Sequence, residues 1–113
     1  MIIKGARVFD ERLGFVERDI FTDGEIIASH ETGGEEIDAG GLYAIPGLVD
    51  IHIHGCVGFD FSSCSAGDMG AMTRYEASRG VTSLCPTTLT LPEEALARAC
   101  GEISRCSEPG GAS

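Results

Sequence analysis

Pro46-Gly47-Leu48-Val49-Asp50-Ile51-His52-Ile53-His54-Gly55 decides the reading of this chain. On a β-strand alternate side chains point the same way, so His52 and His54 present both imidazoles to one side while Val49, Ile51 and Ile53 face the other. A strand offers a metal ion two nitrogen ligands in this manner. The Pro-Gly start, the apolar run and the closing glycine describe a short buried strand ending in a loop, where parallel α/β barrels build their sites. An isolated His-x-His is more often a pair of hydrogen-bonded histidines inside a barrel; the strand-and-loop context favours the metal here.

Catalytic zinc takes three protein ligands plus water, and the only other histidine, His30, lies in a different segment. Further ligands would come from Asp, Glu or Cys, or from polypeptide not present. Cys56 lies two residues beyond His54, but the loop is expected to carry it away from the strand. Asp50, at i−2 from His52, points the same way; a hydrogen bond from an imidazole N–H would orient a ligand and raise its basicity, and a contact to backbone is the competing reading. Thr87 and Thr88 follow the next strand on the side where barrel loops gather, where turn and capping duties explain their hydroxyls equally well.

After Pro46 the pattern alternates strand and helix. Ser65 to Arg79 reads as a helix, with Ser65 and Asp68 as a capping box, Met69, Met72 and Tyr75 as an apolar stripe, and Gly80 at C′. Val81 to Cys85 reads as a second buried strand ended by Pro86. Thr90-Leu91-Pro92-Glu93 supplies an N-cap, an early-turn proline and a capping-box glutamate for a helix with Leu96, Cys100 and Ile103 on one face. Such alternation implies βαβ units and a parallel sheet. Two units cannot close a barrel, and Glu108-Pro109-Gly110-Gly111 reads as a turn leading to a third strand. The expectation is therefore the N-terminal part of a larger protein.

Before Pro46 short strands alternate with turns. Ile2 to Phe9 and Phe15 to Phe21 are strand candidates, and Asp23-Gly24 before Ile26-Ile27 is a hairpin signal. Glu31, Glu35 and Glu36 read as a solvated face. The expected organisation is an incomplete all-β domain over residues 1–45 and the start of a barrel over 46–113.

A net charge of −10, with eight Lys and Arg among eighteen acids, argues against nucleic acid or an anionic membrane as a natural ligand. There is no apolar run of membrane-spanning length, and the first residues do not form a signal peptide, so the expected location is cytoplasmic. Five cysteines without a Cys-x-x-Cys pair fit reduced thiols.

The stretch Pro46 to Gly55 resembles the strand-one signature of the amidohydrolase superfamily, metal-dependent hydrolases built on a (β/α)8 TIM barrel with an appended small β-domain. Gly55-Cys56-Val57-Gly58-Phe59-Asp60-Phe61, Gly80-Val81-Thr82-Ser83-Leu84-Cys85-Pro86-Thr87-Thr88 and Asp23-Gly24-Glu25-Ile26-Ile27 narrow this to a resemblance to the N-acetylglucosamine-6-phosphate deacetylase family. The resemblance implies an α/β fold consisting of the first two βα units of the barrel after a small β-domain. It also implies hydrolysis of N-acetylglucosamine 6-phosphate to glucosamine 6-phosphate and acetate, with one or two divalent ions, zinc or iron. His52 and His54 carry over as metal ligands. The family's metal-binding glutamate, further histidines and general acid/base aspartate all lie beyond this sequence, so no catalytic acid/base residue is expected within it. A sugar phosphate as substrate and a homo-oligomeric enzyme complete the expectation. The alternatives are a dihydropyrimidinase-like enzyme of the same superfamily and, for the 113-residue chain alone, an inactive domain piece that associates through open strand edges.

Overall fold

The computed structural model describes residues 1–106, so the expected turn from Glu108 lies outside the described residues. The fold is mixed α/β with a sheet-rich N-terminal region, and it divides into two compact units, the first Met1–Pro46 and the second beginning at Gly47. No helix among the described residues is long and apolar enough to cross a membrane.

The first unit is a five-stranded sheet of β1 (Ile2–Asp10), β2 (Gly14–Asp23), β3 (Ile26–Ala28), β4 (Glu36–Asp38) and β5 (Tyr43–Ala44). β2 pairs antiparallel with β1 and with β3, whereas β4 and β5 run parallel to β1. The Asp23-Gly24 signal does close the β2–β3 hairpin, with Gly24 at φ 57° where a side chain would be strained. Ile2, Ala6 and Ala39 are the buried apolar residues of the first unit. Lys4 and Glu36 pair at 2.8 Å on the surface, so part of the acidic face is matched by a cation.

The second unit follows the order β6 (Leu48–Ile53), α1 (Ala66–Ser78), β7 (Val81–Pro86) and α2 (Glu93–Cys106), with β6 and β7 parallel. Gly47 lies against Thr82: a Cβ there would overlap the threonine side chain and stand 2.7 Å from its Cβ, which is why the approach to β6 requires glycine. Helix α1 begins as its sequence specifies. The Ser65 side chain accepts from the Asp68 backbone N–H, the Asp68 carboxylate accepts from the Ser65 N–H at 2.9 Å, and Gly80 takes φ 89° just past the end. Ile53, Phe61, Met69 and Met72 form the core, with Cys56, Cys64, Leu84, Ile103 and Cys106 packed at its margin.

Four expectations need correction. Tyr75 does not continue the buried methionine stripe; it is 38% exposed, and its ring lies under the Arg79 guanidinium at 5.2 Å. Thr90 does not cap α2, because the helix starts at Glu93 and the Pro92 carbonyl accepts from Ala95 and Leu96. Along α2 the inward position is Ala99 and not Cys100, which is exposed, so the packed face runs Leu96, Ala99, Ile103 at helical spacing. Finally, β6 and β7 are not buried strands: Val49 and Ile51 are 65% and 78% exposed. A two-stranded sheet covers only the residues at its packed end, Ile53 among them, because burial of a strand depends on layers laid over both faces.

Candidate metal centre

His52 lies on β6 and His54 one residue past its end, so the two-residue period brings both rings to one side as the strand runs into the loop. Their Nε2 atoms stand 3.3 Å apart, with ring planes at 88°. Two nitrogens bound at about 2.0–2.1 Å to one tetrahedral ion are separated by about 3.3 Å, so the pair has the spacing of two ligands of a single ion.

A second contact fixes which nitrogen of His54 is free. His54 Nδ1 lies 2.9 Å from the carbonyl oxygen of Thr87. A carbonyl only accepts, so the proton resides on Nδ1 and the lone pair of Nε2 is left for another partner. The Nε2 of His52, 3.3 Å away, is placed to be that partner if it carries a proton; binding an ion would require His52 to release this proton or carry it on Nδ1. Thr87 is itself positioned by its N–H, which donates to the Ile53 carbonyl at 2.8 Å and extends the β6–β7 pairing beyond Pro86. The participating atom of Thr87 is its backbone oxygen. Its hydroxyl turns away to the Cys85 carbonyl at 3.3 Å.

The loop after His54 folds tightly back. Phe61 N–H donates to the His54 carbonyl at 2.8 Å, and the Phe61 side chain is buried in the core. Gly55 permits this: a Cβ there would overlap the Phe59 carbonyl oxygen and come within 2.7 Å of Asp60 Cα. Val57 adopts φ 48° in the same loop, a left-handed conformation costly for a β-branched residue. Cys56 turns from the histidines toward α1, where its thiol donates to the Met72 carbonyl at 3.7 Å. Burial pushes that thiol's pKa up, and the Glu76 carboxylate beside it adds to the effect. Asp50 Oδ1 accepts from the His52 backbone N–H at 3.0 Å, the backbone contact and not an imidazole one. It steadies the strand at His52.

The donor set suits a divalent ion in chemistry and spacing but supplies two ligands. Among the described residues no group of three or more His, Cys, Asp and Glu side chains stands together as a ligand set. Sequence reasoning located both histidines and missed the Thr87 carbonyl.

No protein-family model matches the chain. It is 37% identical over 97 residues to N-acetylglucosamine-6-phosphate deacetylase of Bos taurus, a match covering 81% of this chain and 20% of the relative. A crystal structure of N-acetylglucosamine-6-phosphate deacetylase from Thermotoga maritima superposes with TM-score 0.67 at 28% identity, covering 88% of this chain and 26% of that one. This chain is a relative of the N-acetylglucosamine-6-phosphate deacetylases, matching their N-terminal portion. It spans about a fifth to a quarter of the length of these deacetylases. A dihydroorotase of Trichlorobacter lovleyi is 31% identical over 100 residues, covering 81% of this chain and 23% of the relative, so similarity extends beyond the deacetylases to a second hydrolase of the amidohydrolase superfamily.

Proposed function

We propose that this chain contributes the first two βα units of a (β/α)8 barrel to a metal-dependent hydrolase that converts N-acetylglucosamine 6-phosphate to glucosamine 6-phosphate and acetate. The observation that carries the reading is the convergence of His52 and His54 Nε2 at 3.3 Å with the His54 proton held on Nδ1 by Thr87. A zinc or iron ion, alone or as one of two, would polarise the amide carbonyl and lower the pKa of water. His52 and His54 would hold such an ion through Nε2. Thr87 orients the His54 ring, and Asp50 steadies the strand beneath it. The close turn at Gly55 sets His54 at the strand's C-terminal end, where barrel enzymes assemble their sites. The remaining ligands, the general acid/base and the phosphate-binding groups are expected from polypeptide outside this sequence. The 113-residue chain alone is then expected to be inactive. The complete enzyme is expected to be cytoplasmic and homo-oligomeric.

A second reading, hydrolysis of a cyclic amide, is favoured by the dihydroorotase relative. The two are separated by substrate. The longest polypeptide that carries this sequence, purified with zinc, is expected to release acetate from N-acetylglucosamine 6-phosphate and to leave dihydroorotate intact. Turnover of dihydroorotate without acetate release would replace the first reading with the second.

A further inference from the structure

Ser62 is the one polar side chain that is buried among the described residues, at 4% exposure. A buried hydroxyl needs partners, and this one accepts the Leu89 backbone N–H at 2.8 Å. Ser62 belongs to the loop between β6 and α1, and Leu89 to the segment between β7 and α2. The bond therefore joins two loops that are 27 residues apart in sequence. Ser62 is itself held by its N–H, which donates to Asp60 Oδ1 at 2.7 Å.

The joined segment contains the Thr87 carbonyl. Its chain is pinned on one side by Thr87 N–H to the Ile53 carbonyl at 2.8 Å and on the other by Leu89 N–H to Ser62. The peptide group between Thr87 and Thr88 lies between these two pins, and its oxygen faces His54 Nδ1 at 2.9 Å. Removing the second pin frees the segment to rotate after one anchored residue. The carbonyl then no longer has a fixed direction.

We infer that Ser62 is a positioning residue for the ligand nitrogen of His54, acting through Leu89 and the Thr87 carbonyl to keep the imidazole proton on Nδ1. Imidazole free in water favours the proton on the other nitrogen, the one that would have to receive the ion. Loss of the clasp therefore blocks the lone pair that the site needs. The role for metal rests on the function proposed above, whereas the control of the tautomer does not.

Two readouts on the intact 113-residue chain keep these apart. In the metal-free chain labelled with nitrogen-15, long-range proton–nitrogen correlation spectra are expected to show His54 protonated at Nδ1. Ser62→Ala is expected to move a substantial fraction to Nε2, and Ser62→Thr, which retains the hydroxyl, to keep more of it on Nδ1 than Ser62→Ala does. In zinc titrations Ser62→Ala is expected to weaken binding about tenfold, the lower end of the usual effect of groups that orient a ligand. An unchanged tautomer in a folded Ser62→Ala chain would overturn the inference, even if zinc still binds both histidines. A tautomer that responds in a chain with no zinc affinity would uphold the inference and sink the metal reading. Should Ser62→Ala fail to fold, amide exchange at Leu89 in the unaltered chain decides: protection supports the clasp, and exchange as fast as an open loop refutes it.

Discussion

The Phe61 backbone N–H donates to the His54 carbonyl at 2.8 Å, so the residue that anchors the core also closes the turn carrying the second histidine. Gly55 is the hinge of that closure, with Phe59 and Asp60 occupying the space a Cβ would need. Gly55→Ala must push backbone against backbone, which flexible side chains cannot relieve. The expected loss of stability is about 1–3 kcal/mol, read as a lower urea midpoint. A midpoint unchanged from the unaltered chain would show that the loop opens freely.

The cap of α1 gives a pH signature. Hydrogen bonds from the Ser65 backbone N–H and hydroxyl hold the Asp68 carboxyl below its ordinary range. Because its folded-state pKa is depressed, its contribution is complete above the ordinary value, about 3.9. It is lost as pH falls through the lower folded-state value. Urea midpoints measured from pH 6 down to pH 2 are expected to fall less steeply below pH 4 in Asp68→Asn than in the unaltered chain. Identical slopes would remove Asp68 from the acid response.

Thiol chemistry should follow burial. Burial raises the pKa of Cys56 and Cys64, aided by Glu76 at the first and by Asp68 and Asp60 at the second, although a backbone hydrogen bond opposes it at Cys64. Cys85 and Cys100 are exposed. Timed alkylation at pH 8, followed by peptide mass spectrometry, is expected to label Cys85 and Cys100 before Cys56 and Cys64. Early labelling of Cys56 would show that its loop is detached from α1.

Among the described residues the edge of β6 away from β7 has no strand partner, and Val49 and Ile51 are exposed beside it. An open apolar edge is a template for pairing with another chain. Sedimentation is expected to show concentration-dependent self-association that Ile51→Lys reduces. A monodisperse monomer at high concentration would contradict this.

Two features that depend on local spacing were legible in the sequence. His52 and His54 share a side because a strand repeats every two residues, and Ser65 with Asp68 capped α1 because a helix start needs those acceptors three residues apart. Burial of β6 was not legible, since Val49 and Ile51 are covered only if other elements lie over them. The packed face of α2 was misread by one residue because Ala99 and Cys100 are both small and apolar, and the helix begins at Glu93. Thr87 drew attention only for its hydroxyl, because a backbone carbonyl has no side-chain signature. Its role appears only when β7 is laid beside β6.

His52 and His54 are expected to bind one ion together. X-ray absorption at the zinc edge, on the chain loaded with one equivalent of zinc, tests it most directly. Two imidazole nitrogens per zinc are expected at about 2.0–2.1 Å, falling to one in His52→Ala and in His54→Ala. Sulfur scattering at about 2.3 Å, or a single imidazole per zinc in the unaltered chain, would contradict it.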